Sequence, residues 1–341
     1  MDISIDMLKV GNADALIVWL KDSQKNSHIT VIDGGNSEDG ESVIAHLENY
    51  ILPNVSQNAP DLIISTHHDK DHINGLIKLV EKYIGNIGEV WVNNPADYVS
   101  SYVFESLKSK LRNKSYERKY QYIQESLNNL DDFITIVDRY NILRESAFSG
   151  KEKFNNIIKV LGPSKSFYES MLPGFENLEE YISEQGDFVY NSRYSEAVIN
   201  ETLEANSSCS IVDKVNSTSA SNNSSVITEF NINNKRFLFT GDTGVAAFNS
   251  VEERYSLENI YWLDVPHHGS RRNLTSTLID TMNADIGYIS AVGNKKHPRR
   301  ALVNCLKRAG TKVYSTHKSG NIWYHNGDFP NRPNYNLLQE L

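Results

Sequence analysis

The side chains with the clearest chemical potential lie in residues 65–72, which read Ser-Thr-His-His-Asp-Lys-Asp-His. Within six positions this stretch places His67, Asp69, Asp71 and His72. Carboxylates this close together repel one another unless a cation or a proton lies between them, and imidazole with carboxylate is typical of sites for zinc, manganese or iron. The pattern therefore predicts a metal site. A polar turn with incidental histidines is the alternative that this stretch alone leaves open.

Two later segments end in the same kinds of residue. Residues 237–242 are an apolar run that closes on Gly241 and Asp242, and residues 263–270 contain His267 and His268. A Gly-Asp pair after a strand is usually only a turn. Three strand ends that carry Asp or His, however, point to one sheet edge at which ligands converge, and this favours metal binding over chance.

The segments that must position these residues alternate between strands and helices. Short β-branched apolar runs at 29–35 and 61–66 indicate strands. Helices are predicted over 40–52, 73–84 and 299–309. This alternation, with polar residues at the strand ends, is typical of an α/β fold.

Two regions interrupt the alternation and are interpreted as insertions. Residues 95–155 are predicted to be mainly helical, and residues 165–215 lead into a stretch rich in Ser and Asn. Residues 206–225 contain eight Ser and four Asn, a composition too polar to pack well. We expect a mobile loop there.

Composition excludes several classes of protein. The 341 residues are 39% hydrophobic with a mean hydropathy of −0.46, and no apolar stretch is long enough for a transmembrane helix. The acidic, alternating N-terminus lacks the order of a signal peptide. Cys209 and Cys305 form no CxxC pair, so neither a disulfide framework nor a cysteine-built zinc site is expected. We therefore expect a cytoplasmic protein without membrane insertion.

Charge is unevenly distributed along the chain. The net charge is −9, yet the stretch 271–318 holds ten Lys and Arg against two acidic residues and so carries +8. Arg271 and Arg272 directly follow the His-His-Gly segment, and Lys296 precedes His297. A basic surface for an anionic substrate would explain this asymmetry, whereas a solvated helix face would explain part of it.

These motifs resemble those of a known family. Residues 67–72 are similar to the His-x-His-x-Asp-His signature of the metallo-β-lactamase superfamily, with Asp69 where the second His is usual. This variant resembles the hydrolase domain of ComEC-type DNA-uptake (competence) proteins. Further motifs that agree with that branch occur along the chain in the order in which the family has them. They lie at 10–15, 33–35, 223–226, 240–242, 266–270 and 297–298, then at Thr316 and Gly320. The resemblance covers residues 3 to about 324 but not the insertions.

The resemblance implies a four-layer αββα sandwich in a single domain of residues 1–341, with the metal site at one edge between the two sheets. It also implies two divalent ions, zinc or manganese, as cofactors. Carried over residue by residue, it implies six ligands: His67 and Asp69 for the first ion, Asp71 and His72 for the second, Asp242 as a bridge, and His268 to complete the set. His267 is either the support of this last ligand or its alternative.

One departure from the superfamily concerns the first ion. The superfamily usually supplies a further His before the Gly-Asp pair, whereas no His lies between residues 72 and 267. Asn223, Ser224 or Ser225 is expected near that place, beside the substrate. Three outcomes are therefore open for the first ion: weak binding, binding only together with substrate, or an empty site. A set of three carboxylates and three imidazoles accepts Mn²⁺ as well as Zn²⁺.

Two aspartates outside the ligand set are expected to have a supporting role. Asp14 and Asp33 lie in motifs of the branch, at 10–15 and 33–35. We expect them to form turns and to hold the ligands rather than to bind metal.

The resemblance to the DNA-uptake branch implies hydrolysis of a phosphodiester by an activated water. Asp71 would orient the water and accept its proton. The candidate contacts to the substrate are Asn223, Ser224, Arg271, Arg272, Lys296 and His297. Cationic side chains among them could hold phosphates. DNA and RNA both stay open as substrates.

The first insertion carries a weaker signal for nucleic acid. Residues 108–122 interleave Lys and Arg with Tyr, a composition suited to backbone contact and base stacking. Such runs are more often a solvated helix face. They add little to the prediction.

Two other functions fit the same motifs. The fold also supports hydrolysis of a small ester, a phosphocholine ester, a cyclic nucleotide or a lactone, in which case the insertions would narrow the pocket. A metal-binding regulatory module without catalysis is the alternative outside the enzymes, and the complete set of Asp and His argues against it. The oligomeric state is not predicted.

Overall fold

The computed structural model describes residues 1–98, 118–172, 209–214, 216–294 and 296–341. Within these residues the protein is α/β, as predicted, with two mixed sheets of seven strands each. The chain forms two compact units. The first unit comprises Met1–Ala147 with Ser319–Leu338, and the second comprises Phe148–Lys318 with Gln339–Leu341.

The strands are numbered in chain order. They are β1 (Asp2–Met7), β2 (Leu16–Lys21), β3 (Ser27–Ile32), β4 (Leu62–Ile64), β5 (Glu89–Trp91), β6 (Arg144–Glu145), β7 (Glu152–Lys153), β8 (Ile158–Gly162), β9 (Ile227–Ile232), β10 (Lys235–Phe239), β11 (Trp262–Asp264), β12 (Ile286–Ile289), β13 (Lys312–Ser315) and β14 (Ile322–Asn326). The sheet of the first unit has the order β14-β1-β2-β3-β4-β5-β6, and that of the second unit has the order β13-β12-β11-β10-β9-β8-β7.

Seven helices of the described residues are numbered in the same way. They are α1 (Asp39–His46), α2 (Lys70–Lys82), α3 (Arg118–Arg139), α4 (Lys165–Met171), α5 (Val245–Glu252), α6 (Ser276–Met282) and α7 (Arg300–Arg308). A π-helical turn, Leu47–Ile51, extends α1, so the predicted helix over 40–52 is confirmed. Across the described ranges, no helix is long and apolar enough to cross a membrane.

One face of the first sheet packs against α1, α2 and α3. Trp19 of β2 and Ile63 of β4 belong to one buried cluster with Val43 of α1, Leu76 of α2 and Phe133 of α3. Side chains alternate across a strand, so every second residue of β2 reaches this face. The helix α2 buries a single apolar stripe, which is the pattern of an amphipathic helix.

A close contact between two glycines fixes the position of α2. A Cβ atom on Gly75 would lie 1.7 Å from the backbone oxygen of Gly34, and one on Gly34 would lie 2.5 Å from the backbone nitrogen of Leu76. The Gly34 N–H donates to the carbonyl of His72 (2.8 Å), and the Gly75 N–H donates to that of Gly35 (3.0 Å). The Asp-Gly-Gly turn after β3 therefore packs directly on the backbone of α2, which only glycine allows.

A buried ion pair ties the end of the first unit to β1. Arg332 donates from Nε to Asp6 Oδ1 and from Nη2 to Asp6 Oδ2, each at 3.0 Å, and both side chains are fully buried. His46 Nε2 lies 3.4 Å from Asp6 Oδ1. Burial raises the pKa of Asp6, but His46 and Arg332 outweigh burial and leave this pKa below its usual value. Charge pairing thus holds the segment after β14 in place.

In the second unit, the strands β10 to β13 are parallel, whereas β7 to β10 pair antiparallel. Leu238 and Leu263 of this sheet share a buried cluster with Phe248 of α5, Leu278 of α6 and Leu302 of α7. Because β10 to β13 run in the same direction, their carboxyl ends lie at one edge of the sheet. The segments that follow these ends carry the second group of candidate ligands.

The prediction that the Ser- and Asn-rich stretch does not pack was wrong for residues 218–225, whereas residues 213, 214, 216 and 217 are exposed. Residues 218–226 are buried and include a helical turn, Ala220–Asn223. The Oγ of Ser219 accepts from the N–H of Asn222 (3.0 Å), which caps this turn. Ser and Asn can form a buried turn when local hydrogen bonds satisfy their polar groups, and composition alone does not show this.

The prediction against disulfide bonding was also wrong. Cys209 and Cys305 are joined by a disulfide across a sequence separation of 96. Cys209 opens a 3-10 turn, Cys209–Ile211, that packs against α7, the helix that carries Cys305. The fold brings these residues together, so the local spacing of cysteines could not reveal the pair.

Part of each predicted insertion lies outside the described residues, in the gaps 99–117 and 173–208. The Lys- and Tyr-rich run 108–122 lies outside the residues whose side chains are described. In the described part of the first insertion, α3 agrees with the prediction of helix.

We expect Gly75→Ala to destabilise the protein, because the new methyl group would overlap the backbone of Gly34. The expected loss in the free energy of unfolding is about 1–3 kcal/mol, measured by urea denaturation. Glu81→Ala, at an exposed position of the same helix, is the control and should change this free energy by less than about 0.5 kcal/mol. Equal stability of the Gly75 variant and the wild type would contradict the close-contact argument.

Arg332→Ala should cost about 3–5 kcal/mol of stability at neutral pH, because it leaves the buried Asp6 carboxylate without its main partner. The low pKa of Asp6 stabilises the wild type above the unfolded-state value of 3.8 and ceases to do so as pH falls through the folded-state value. The difference between variant and wild type should therefore shrink as pH falls. Lys25→Ala removes an exposed ion pair to Asp2 and should cost less than about 1 kcal/mol. A difference that grows on acidification would refute the assignment to Asp6.

Candidate metal centre

The first cluster of candidate ligands lies where β4 leads into α2. Asp69 precedes the helix with an extended backbone (φ −67°, ψ 144°), and its carbonyl accepts from the N–H groups of His72 (3.0 Å) and Ile73 (3.1 Å). These bonds start α2 at Lys70, earlier than the predicted helix start. Asp71 and His72 therefore lie on the first helical turn rather than in a loop, which fixes their backbone.

The buried carboxylate of Asp33 orients two histidines of this cluster. It accepts from His72 Nδ1 (2.7 Å), from Thr66 N (2.8 Å) and from Thr66 Oγ1 (2.6 Å). Because the Thr66 hydroxyl gives its one proton to Asp33, its oxygen accepts from His67 Nδ1 (3.1 Å). Both imidazoles thus carry their proton on Nδ1 and present the Nε2 lone pair, the form that binds a metal.

Other donors of the first cluster lie close to these rings. His67 Nε2 lies 3.7 Å from Asp69 Oδ2, and the ring centroids of His67 and His72 are 4.2 Å apart. One ligand atom each of Asp14, Asp33 and His72 lies within 4.8 Å of the others, so this group could hold a metal ion. Because Asp33 accepts from His72 Nδ1, we interpret Asp33 as the support of a ligand, in agreement with its predicted role.

Burial and neighbouring charges shift the titration of this cluster. Burial raises the pKa of Asp69, but the hydrogen bond and charge of His67, with the charge of His68, outweigh burial and leave this pKa below its usual value. Burial lowers the pKa of His68 to about 4. At neutral pH, Asp69 is therefore a carboxylate and His68 is neutral, so the cluster can attract a cation.

The second cluster follows the carboxyl ends of β10 and β11. Asp242 comes after β10, and His267 and His268 come after β11 with left-handed backbones (φ 51° and 53°), which are uncommon for residues other than Gly. This turn brings His267 Nε2 to 3.6 Å from Asp242 Oδ2 and His268 Nε2 to 4.0 Å from Asp242 Oδ1. Three polar side chains therefore meet at one place in the second unit.

Neutral partners contact the Nδ1 atoms of these two histidines. Asn273 donates from Nδ2 to the carbonyl of Asp242 (2.9 Å), so its Oδ1 is the acceptor for His267 Nδ1 (3.2 Å). His268 Nδ1 donates to the carbonyl of Ser290 (3.2 Å). As in the first cluster, both rings are held at Nδ1, and their Nε2 atoms face an aspartate, here Asp242. The hydrogen bonds orient His267 as well as they orient His268.

The buried polar segment before β9 also reaches this cluster. The Asn222 amide lies 3.2 Å from His267 Nδ1. Asn223 donates to the carbonyl of Thr218 (3.3 Å), and the hydroxyl of Ser224 donates within the same segment. Of these three neighbours, the structure places Asn222 beside a histidine, whereas the hydrogen bonds of the predicted substrate contacts Asn223 and Ser224 stabilise the segment itself.

A recess beside the second cluster is lined by cationic and polar side chains. Its walls are formed by His267, Ser270, Arg271, Arg272, Lys296, His297 and Arg299. Of the six residues predicted as substrate contacts, four therefore line one recess: Arg271, Arg272, Lys296 and His297.

His297 extends the pair of histidines to three. Its ring centroid lies 5.4 Å from that of His267 and 5.8 Å from that of His268, and the residue is 4% exposed. Burial lowers the pKa of His297 well below its usual value, and His267, His268 and Lys296 lower it further. His297 is therefore neutral at physiological pH.

The chain matches no protein-family model and no curated protein. The two clusters must therefore be interpreted from their own geometry.

The expectation that all three strand ends lie at one sheet edge was wrong. The first cluster follows β4 in the sheet of the first unit, whereas Asp242 and the two histidines follow β10 and β11 in the sheet of the second unit. Polar residues at a strand end indicate where a strand stops. They carry no information about which sheet the strand joins.

Sequence reasoning missed the residues that hold the Nδ1 atoms of the second cluster. These residues are Asn222, Asn273 and Ser290, the last through its carbonyl. A single Asn belongs to no recognisable motif. Every residue has a backbone carbonyl, so the sequence cannot show which one accepts a hydrogen bond. Only the pairing of His267 with a nearby Asn could have suggested such a role for Asn273.

Asp33→Asn should weaken metal binding, because an amide NH₂ would face donors that the carboxylate now accepts from. We expect the affinity for Mn²⁺ or Zn²⁺ to fall about 10–100-fold, measured by metal titration with the bound metal counted by mass spectrometry. Asp22→Asn is the matched control, since Asp22 also accepts backbone N–H bonds, in an exposed turn of the same unit. Wild-type affinity in Asp33→Asn would show that this carboxylate does not support a ligand.

Proposed function

We propose that this protein is a metal-dependent phosphodiesterase that cleaves nucleic acid, on a four-layer αββα fold of the metallo-β-lactamase type. One observation carries the proposal. In both clusters, buried imidazoles are fixed by a hydrogen bond at Nδ1 and present Nε2 near an aspartate. Histidines held in this way are typical metal ligands.

The chemistry of the donors fits divalent ions. The ligands would be His67 and Asp69 for one ion, Asp71 and His72 for a second, Asp242 as a bridge, and His268 with His267 as its alternative. Imidazole and carboxylate together suit Zn²⁺ or Mn²⁺. Such ions act as Lewis acids and supply an activated water at neutral pH.

Asp71 is the residue that we assign to the proton of that water. It lies on the first turn of α2 and is only half-buried, in contrast to Asp69 and His72, which are buried. The N–H of Asp14 donates to the carbonyl of Asp71 (3.3 Å), which helps to fix its backbone. A carboxylate at such a position can orient a water and accept a proton from it.

The cationic recess favours a phosphate ester over the other substrates that this fold accepts. Guanidinium and ammonium groups, here those of Arg271, Arg272 and Lys296, bind phosphate oxygens through charge-assisted hydrogen bonds. A neutral lactone would gain nothing from these charges, and the cation of a choline ester would be repelled by them. Nucleic acid, with a phosphate at every nucleotide, uses them best.

The test is hydrolysis of labelled single- and double-stranded DNA and RNA in the presence of Mn²⁺. We expect the wild type to cleave at least one of these polymers and Asp71→Ala to lower the rate by at least about 100-fold. Asp280→Ala, which removes an exposed carboxylate of α6, is the matched control and should keep the wild-type rate.

A different result would refute each part of the proposal. Metal binding without cleavage of any polymer would refute the nuclease activity and redirect the search to small phosphoesters. Cleavage by Asp71→Ala at the wild-type rate would refute the role of this carboxylate.

A further inference from the structure

We propose that the cationic recess of the second unit binds a second phosphate group of the substrate, next to the phosphate that is hydrolysed. The identity of the substrate rests on the proposed phosphodiesterase activity, whereas the recess can be tested without hydrolysis. Of the candidate metal ligands in this unit, only His267 lines the recess, and neither Asp242 nor His268 does. A phosphate held there is therefore a neighbour of the reacting phosphate rather than the same group.

The lining of the recess is rich in cationic side chains. Its lining includes Arg271, Arg272, Lys296 and Arg299, each of which is partly buried. Among the described residues, no carboxylate lines it. A phosphate carries enough oxygens to contact several of these cations through charge-assisted hydrogen bonds.

The start of α7 contributes to the same recess. Arg299 directly precedes the helix, no side chain caps its N-terminus, and its first turn contains no acidic residue. Basic residues are unfavourable at this end of a helix, which carries a partial positive charge and prefers Ser, Thr, Asp or Asn. A bound phosphate removes the conflict, because the N–H groups of the first turn and the cationic side chains can share its oxygens.

His297 is an independent indication of a ligand. It lines the recess and is 4% exposed, and its Nδ1 atom has no hydrogen-bond partner among the described residues. Buried polar atoms in native proteins nearly always have a partner. An oxygen of the bound phosphate would accept a hydrogen bond from this imidazole.

Hydrogen bonds to the backbone hold the two loops of the recess in place. The Arg299 N–H donates to the carbonyl of Gly269 (2.9 Å). Asn294 Oδ1 accepts from the N–H groups of Lys296 (2.7 Å) and His297 (2.9 Å). A preformed site loses little conformational entropy when it binds.

The first experiment measures binding of inorganic phosphate to the full-length chain by isothermal titration calorimetry, in EDTA so that no metal ion can hold the phosphate. We expect Lys296→Ala and Arg299→Ala each to weaken binding about tenfold or more, with circular dichroism to show that the fold is kept. Lys312→Ala removes a cation at the amino end of β13, away from the strand ends that carry the cluster, and should bind as the wild type does. Equal affinities in all four proteins, or no binding by the wild type, would overturn the proposal.

The second experiment identifies the phosphate with oligonucleotides that carry a 5′-phosphate, a 3′-phosphate or neither. A rise of about tenfold in the KM of Arg299→Ala for only an end-phosphorylated substrate would assign the recess to a terminal phosphate. A similar rise for all three substrates would assign it to an internal diester. Either result supports the proposal.

Two outcomes separate this proposal from the proposed function. Arg299→Ala could lose phosphate binding and yet keep the wild-type KM for every substrate. This result would show that the recess binds phosphate but not that of the substrate, and would overturn the proposal. If the wild type binds phosphate but cleaves no oligonucleotide, the phosphodiesterase activity fails and the substrate assignment fails with it, whereas the recess remains a phosphate site.

Discussion

The hydrogen bonds of the buried Asp33 carboxylate are the interaction on which the first cluster depends. They join the turn after β3, the segment after β4 and the first turn of α2, because Asp33 accepts from both Thr66 and His72. The carboxylate reaches this position only because the next residue, Gly34, packs against the backbone of Gly75 in α2. A backbone contact thus sets the distance, and a carboxylate sets the direction of each imidazole. The orientation of the ligands is therefore a property of the folded chain and does not need a metal ion to impose it.

The second cluster meets the same requirement with neutral acceptors, an amide at Asn273 and a carbonyl at Ser290. The kind of acceptor affects the net charge of each cluster. A carboxylate behind a histidine raises the basicity of the ligand and adds negative charge, and the first cluster also contains the carboxylates of Asp69 and Asp71. The second cluster contributes a single carboxylate, Asp242, and lies beside a recess lined by cations. Negative charge at the first cluster and positive charge beside the second are the distribution that the proposed metal-dependent phosphodiesterase would require, with carboxylates to hold cations and cations to hold phosphates.

How much the sequence could predict depends on the range of the interaction concerned. Local signals were sufficient for the strand β4, for the helix over 40–52 and for the α/β class, since apolar periodicity and strand-end polarity act within a few residues. A family motif was needed to suggest that Asp33 supports a ligand. The disulfide of Cys209 and Cys305, the sheet to which each strand belongs, and Asn273 as the partner of His267 depend on contacts between distant segments, which no local pattern encodes. The prediction for the segment of the buried turn Ala220–Asn223 was wrong for another reason. Polar composition predicts exposure only when the polar groups are not bonded to one another, and here they are.

The left-handed backbones of His267 and His268 explain why the metal-ligand cluster and the recess occur together. Two such residues in succession cost about 1–3 kcal/mol each, and the turn is retained because bonds fix it on both sides, from the N–H of His267 to Gly241 (3.1 Å) and from the N–H of Arg299 to Gly269 (2.9 Å). The strained turn directs both Nε2 atoms toward Asp242. The same turn ends at Gly269, where a Cβ atom would lie 2.7 Å from that of Pro298, and the residues that follow each of these two, Ser270 and Arg299, line the recess. One strained loop therefore positions a pair of candidate metal ligands on one side and the residues proposed to hold phosphate on the other, so the two proposed sites share a single structural element.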